Sequence, residues 1–152
     1  MLFRSFVTGT AKGIGAARYA LQQLGKPYVF GAAGPDAFDC SGLTMAAWAS
    51  QGVPLPHYTA GPATRDWQVT RGTPEPLDLS EAHAGDLVFI PGADGTTAEP
   101  GHVGIVIGYL PTLDGHGRDL YLAQAPGYAN LPVELTEASD WLGQIAAVRH
   151  LG

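Results

Sequence analysis

The hydrophobic pattern of the first quarter of the chain repeats with a helical period. Ala16, Ala20 and Leu24 fall on one face of a predicted helix over residues 15–24. Gly25 follows directly and is a typical stop for a helix. The pattern therefore predicts a short helix near the start of the chain.

A second helix is predicted to begin at Cys40 or Ser41 and to run to Gln51. Asp39 is its expected N-cap, because a short carboxylate side chain can accept the unpaired backbone N–H groups of the first turn. Gly52 provides the stop. This interpretation puts an Asp-Cys-Ser-Gly sequence at the N-terminal end of a helix.

The segments on either side of this second helix are predicted to be loops and turns. Residues 28–31 form a short extended piece, and the Gly-Pro-Asp sequence of residues 34–36 favours a turn. Residues 53–62 contain three prolines and are predicted to be a loop. A short helical turn over residues 63–67 is expected to follow.

The second half of the chain favours strands. Predicted strands cover residues 86–90, 102–110, 119–124, 132–135 and 144–149. The longest of them has two different faces, one with Val103, Ile105, Ile107 and Tyr109 and the other with His102, Gly104, Val106 and Gly108. Helices that come first and antiparallel strands that come afterwards predict an α+β fold.

Composition limits the classes of function. A chain of 152 residues has the usual size of one domain. We expect an N-terminal leader segment over residues 1–14 and a single domain over residues 15–152. The net charge of −6 offers no basic surface for a nucleic acid. No run of about 18 apolar residues is present, so no membrane-spanning helix is expected.

The sequence has a single cysteine, Cys40, which excludes an internal disulfide. Structural zinc sites usually draw on several Cys and His ligands, so we expect neither a metal nor another cofactor. Cys40 is then either a small buried hydrophobic residue or a reactive thiol. Its predicted position favours the reactive thiol, because a helix N-terminus lowers the pKa of a thiol toward about 7 or below. The backbone N–H of Cys40 is also a candidate oxyanion donor.

A thiolate nucleophile needs an imidazole that stabilises it and later protonates the leaving amine. Among five histidines, His102 is favoured because it opens a β-branched strand, where the sheet fixes its direction. His57 is the rival candidate and is otherwise predicted to line the wall of a cleft. The others lie in a polar turn, in a hairpin loop and near the C-terminus: His83, His116 and His150.

The imidazole in turn needs a third group that holds it in one tautomer. If residues 102–110 and 119–124 pair as a hairpin centred near residue 113, Gln124 comes to rest beside His102. The amide oxygen of Gln124 can then accept the ring N–H. A slip of one residue in this register would turn Gln124 to the other face of the sheet.

These residues resemble the NlpC-type family of bacterial cell-wall cysteine endopeptidases, a compact branch of the papain-like peptidases. The resemblance covers residues 15–152 and rests on five blocks in the family order. They are QLGKPYVFG at 23–31, FDCSGL at 38–43, LPH at 55–57, GDLVF at 85–89 and GHVGI at 101–105.

The resemblance implies a papain-like fold, in which the helix that carries the nucleophile packs on a five- to six-stranded antiparallel sheet. It implies Cys40 as the nucleophile and His102 as the base, with the third catalytic position in residues 122–126. Many relatives have a histidine there, so Gln124 departs from the family pattern. The implied reaction is hydrolysis of peptide stems of peptidoglycan, often between D-γ-glutamyl and a diamino acid such as meso-diaminopimelate.

The resemblance also implies residues that bind substrate. Tyr28 matches a tyrosine that lines the cleft beside the nucleophile. Asp39 and Ser41 match positions that, in some relatives, bind a free N-terminal amine of the stem peptide. His57 is expected to belong to the same substrate-binding group.

Other functions stay open at this point. A catalytically silent module could bind the wall or a partner protein through the same cleft, and an amidase or acyltransferase could use the same thiol and imidazole on a non-wall substrate. We expect peptidoglycan stem peptides as the partner, no nucleic acid, and a monomer. The resemblance implies a secreted or wall-associated protein whose export signal is not in this chain.

Overall fold

The computed structural model describes residues 9–57, 68–93, 95–112, 114–126 and 131–152. Within these ranges, two α-helices come before the strands, α1 (Ala11–Leu21) and α2 (Cys40–Ala49). The strands are β1 (Thr73–Pro74), β2 (Leu87–Ile90), β3 (His102–Pro111), β4 (Arg118–Gln124), β5 (Glu134–Glu137) and β6 (Ala147–His150). Neither helix is long and apolar enough to cross a membrane. The predicted α+β class is confirmed.

The six strands form one antiparallel sheet in the order β1-β6-β2-β3-β4-β5. One face packs on both helices, and its core includes Ala16, Ala20, Leu43, Trp48, Leu87, Phe89, Val103, Ile105, Ile107 and Ala123. The other face packs on connecting segments, in a second core that includes Leu79, Val88, Val106, Leu122, Trp141, Ile145 and Val148. Apolar cores on both faces hold the central strands rigidly in place.

Helix α1 begins at Ala11, earlier than the predicted start at residue 15. The Thr10 hydroxyl accepts a hydrogen bond from Gly13 N at 3.0 Å and caps the helix ahead of its apolar positions. The helix also ends earlier, at Leu21, and Gly25 lies in the following turn with φ +87°, a backbone conformation that favours glycine. The predicted helix therefore lies too far along the chain, because the spacing of apolar residues does not show where a capping residue starts the helix.

Helix α2 begins at Cys40, and the predicted N-cap is confirmed, since the Asp39 carboxylate accepts Gly42 N at 2.7 Å. A Cβ at Gly42 would lie 2.0 Å from the Ala32 carbonyl oxygen. Glycine here therefore lets the preceding loop pack directly on the first turn. The helix ends at Ala49 rather than Gln51. The predicted helical turn over 63–67 and the second half of the 53–62 loop lie outside the described residues.

Strands β2, β3 and β4 lie where the sequence predicts them, but β5 and β6 begin two and three residues later than predicted, at Glu134 and Ala147. Strand β3 also contains an irregularity between Val106 and Gly108, where its pairing with β4 shifts by one residue. Such a bulge reverses the alternation of side chains. Tyr109 is consequently exposed instead of sharing the face of Val103.

Candidate active site

Four of the predicted site residues line one cavity of about 620 Å³. Cys40 comes from the N-terminus of α2 and His102 from the start of β3, while Tyr28 and Gln124 come from the extended segment before α2 and from the end of β4. The helix packs on the sheet, so the two elements fix the thiol and the imidazole at the same end of the molecule.

The imidazole of His102 is held by the side-chain amide of Gln124. Nε2 of His102 and Oε1 of Gln124 are 2.7 Å apart. Because an amide oxygen accepts but cannot donate, Nε2 carries the proton in the neutral ring. Nδ1 then keeps its lone pair and is the ring nitrogen that can accept a proton.

The orientation of the Gln124 amide is itself determined by hydrogen bonds. Its Nε2 donates to Thr136 Oγ1 at 2.5 Å and lies 3.5 Å from Glu134 Oε2. The Thr136 hydroxyl donates to the same Glu134 oxygen at 3.2 Å. A carboxylate is an acceptor, so this network turns the amide NH₂ toward β5 and the amide oxygen toward His102.

The contact between His102 and Gln124 is diagonal. Ile105 pairs with Ala123, and continuing this register places Gly104 opposite Gln124. Because the offset is two residues, His102 remains on the same face as Gln124, within reach of a long side chain. The predicted proximity is therefore correct, although the predicted register was not.

Trp141 covers His102 from the second core. The two rings meet edge to face with centroids 5.5 Å apart. A Cβ at Gly104 would lie 3.0 Å from Trp141 Cη2, so glycine in β3 lets the indole approach this closely. Burial lowers the pKa of His102 below its ordinary value, and the hydrogen bond that the ring donates to Gln124 opposes that shift. Burial therefore favours the neutral form of the ring.

The predicted lowering of the Cys40 pKa is wrong. Burial of the thiol, together with the adjacent Asp39 carboxylate, raises the pKa of Cys40 to about 11. Backbone N–H groups of Ser41, Val103 and Cys40 approach the sulfur and lower its pKa, but they do not outweigh these two effects. Burial thus favours the neutral form of both the thiol and the imidazole.

The other predicted substrate-binding residues do not line this cavity. The Asp39 carboxylate accepts Gly31 N at 2.8 Å and Gly42 N at 2.7 Å, and contacts His57 Nε2 at 2.9 Å. Ser41 is buried, at 3% exposure. These contacts give Asp39 a structural role beside the nucleophile, and the substrate-binding roles of all three residues remain predictions.

Several residues of the site were not predicted. Glu134, Thr136 and Trp141 line the cavity with Gln124. A further residue, Gln68, is fully buried and donates from its amide to Ser41 O at 2.9 Å, which holds the first turn of α2. Their positions depend on tertiary packing, and the weak strand pattern of residues 132–135 did not indicate which face would meet Gln124.

The sequence of residues 25–148 matches the NlpC/P60 family, which covers most of the chain. The chain therefore belongs to the NlpC/P60 family. Solved structures of NlpC/P60 domains share its architecture, which confirms the papain-like fold predicted from the sequence.

Individual relatives are similar over part of their length. A probable endopeptidase of Corynebacterium glutamicum is 41% identical over 91 residues, which are 59% of this chain and 36% of the relative. The bifunctional muramidase/DL-endopeptidase CwlT of Bacillus subtilis is 39% identical over 90 residues, 59% of this chain and 25% of CwlT. The matched region therefore spans between a quarter and little more than a third of these two longer proteins.

Among solved structures, the NlpC/p60 domain of the peptidoglycan hydrolase SagA superposes with a TM-score of 0.65 at 26% identity. The superposition covers 91% of this chain and 98% of that domain. The structural similarity therefore extends over nearly the whole of both domains.

Proposed function

We propose that this domain is a cysteine endopeptidase that hydrolyses peptide bonds in the stem peptides of peptidoglycan. The observation that carries the proposal is the hydrogen bond from His102 to Gln124, because it leaves Nδ1 of the ring to serve the thiol of Cys40 in the same cavity. The relatives named as endopeptidases and as a peptidoglycan hydrolase support the substrate class. This function places the domain's action at the cell wall.

The proposed reaction begins with a neutral pair. As the sulfur of Cys40 attacks the scissile carbonyl carbon, Nδ1 of His102 takes the thiol proton. The imidazolium then donates this proton to the leaving amine, and the C–N bond breaks to give a thioester. His102 next takes a proton from a water molecule as the water oxygen attacks the thioester carbon. The C–S bond then breaks, the carboxylic acid product leaves, and the imidazolium returns its proton to the sulfur. Transfer of the proton during attack suits a thiol whose pKa is raised.

The scissile bond that we propose lies between D-γ-glutamyl and a diamino acid. Three carboxylate side chains line one side of the cavity, Glu134, Glu137 and Asp140, and the described lining residues include no Lys or Arg. This acidic side of the cavity attracts a positively charged group, such as the free amino group of a diamino acid. The DL-endopeptidase activity in the name of CwlT supports the same choice.

Incubation of the domain with defined muropeptides, followed by mass spectrometry, tests the proposal. We expect new fragments whose masses identify the D-γ-glutamyl bond, and no fragments from a Cys40→Ala variant of matched thermal stability. Undiminished cleavage by Cys40→Ala would reject Cys40 as the nucleophile. Tight binding without products would instead favour a silent binding module, and turnover of non-wall amides alone would favour an amidase or acyltransferase.

A further inference from the structure

A second group of chemically active side chains gathers at the other end of β2 from His102. Glu75 directly follows β1, His83 and Asp86 precede β2, and His150 ends β6. Strand β6 lies between β1 and β2, so the sheet topology brings these three chain segments together. Ile90, at the far end of β2, pairs with His102, which separates this group from the candidate active site.

The four side chains place their ligand atoms close together. Nδ1 of His150 is 2.7 Å from Asp86 Oδ1, and Nδ1 of His83 is 3.2 Å from Glu75 Oε2. One ligand atom from each residue can be chosen so that all four lie within 4.8 Å of one another. Zn²⁺ bonds to nitrogen and oxygen of about 2.0–2.2 Å put tetrahedral ligand atoms roughly 3.3–3.6 Å apart. The distances in the cluster, from the 2.7 Å contact of His150 with Asp86 up to the limit of 4.8 Å, bracket that spacing.

The two carboxyl groups of this cluster are buried against each other. The side chain of Asp86 is 1% exposed and that of Glu75 is 11% exposed. One oxygen of each carboxyl lies within 4.8 Å of the other. Among the described residues, the buried Oε1 atom of Glu75 has no hydrogen-bond partner. Because a carboxylate oxygen only accepts, a cation bound here would supply the partner that Glu75 Oε1 lacks among the described residues.

We propose that Glu75, His83, Asp86 and His150 form a structural Zn²⁺ site. Two imidazoles and two carboxylates are donors that Zn²⁺ accepts, and four protein ligands complete its tetrahedron without leaving a position for substrate. This proposal departs from the prediction of no metal, which rested on the single cysteine. The ligands come from three separated segments and so form no compact motif in the sequence.

Backbone N–H groups of three of these four residues already donate hydrogen bonds that hold the cluster in place. The backbone N–H of His83 donates to Asp86 Oδ2 at 2.8 Å, and Asp86 N donates to His83 O at 3.0 Å. Glu75 N donates to Val148 O at 3.0 Å and ties this ligand to β6. A bound ion would join the edge strand β1 and the loop before β2 to β6, and would therefore stabilise the fold.

The test uses a Cys40→Ala background, in which zinc cannot bind the thiol of the candidate active site. After dialysis against ZnCl₂, we expect one zinc ion per chain by elemental analysis. With free Zn²⁺ at about 100 times its Kd, Tm should rise by roughly 5–10 °C. Adding His83→Gln should remove most of this rise. The matched control, His116→Gln, changes an exposed hairpin histidine and should keep it.

Two outcomes of the Tm measurement would overturn the proposal: no zinc-dependent rise in Tm, or the same rise in His83→Gln as in the control. Either result would mean that contacts among the four side chains hold this cluster together without an ion. Substitution with Co²⁺ gives a second measurement that needs no variant of the four ligands, since a tetrahedral centre has an intense visible absorption and an octahedral one a weak absorption. A weak spectrum would also reject the site. Peptidase activity is not measured, so these results are independent of the proposed function.

Discussion

Histidines from neighbouring segments lie beside both ends of β2, and the hydrogen-bond partners of these histidines differ between the two ends. At one end, His102 donates to the neutral amide of Gln124. At the other end, His83 and His150 lie against the carboxylates of Glu75 and Asp86. A carboxylate stabilises an imidazolium or shares a cation with the ring, whereas an amide fixes the tautomer without adding charge. The partner therefore suits one histidine to proton transfer and the others to ion binding.

The largest expected effect comes from His102→Ala. Removing the proposed general base should lower turnover of a defined muropeptide by about 10³-fold or more, since such a base contributes about 10²–10⁴-fold and also stabilises the nucleophile. The zinc-dependent rise in Tm should persist in this variant. His116→Ala serves as the surface control. If His102→Ala lost the zinc-dependent rise in Tm as well as its activity, the sites at the two ends of β2 would not be independent.

A smaller effect is expected from Gln124→Ala. The proton carrier remains, but its ring loses the hydrogen bond that orients it, so turnover should fall by roughly 10- to 100-fold. Gln124→His should keep substantial activity, because an imidazole nitrogen can accept the same bond. Turnover on one muropeptide, at matched thermal stability, is the measurement. Parent-like activity of Gln124→Ala would contradict the orienting role.

The smallest effect concerns the thiol. The Asp39 carboxylate helps to raise the pKa of Cys40, so Asp39→Asn should lower that pKa while an asparagine still caps α2. More thiolate is then present at any pH below about 11, and alkylation by iodoacetamide at pH 8 should be roughly three- to tenfold faster. The alkylation rate should rise with pH in both proteins. An unchanged rate at pH 8 would mean that Asp39 does not control the thiol.

Much of the fold could be predicted because its signals are local. The β-branched run of β3 and the Asp39 cap of α2 are visible in a few consecutive residues. Strand β1 has two residues, one of them Pro74, and exists through its pairing with Arg149 and His150. A strand that depends on its neighbour has no periodicity of its own, and the sequence could not indicate it.

The main residues of the candidate site could likewise be predicted from the sequence, but their electrostatics and tertiary contacts could not. Cys40 and His102 stand out by their places in the helix and strand, and the hairpin brings Gln124 to His102. The thiol pKa was mispredicted because the helix terminus was considered without burial or the charge of Asp39. Trp141 comes from a distant segment, so its contact with the ring depends on how the second core packs.

The bulge in β3 has a consequence for how this hairpin can evolve. It separates two stretches of pairing, Ile105 with Ala123 on one side and Gly108 with Tyr121 on the other. A change in the length or twist of the hairpin tip can be absorbed at the irregular step, so the pairing next to His102 and Gln124 need not change. Selection can therefore remodel the exposed tip while the spacing of the two side chains is inherited intact.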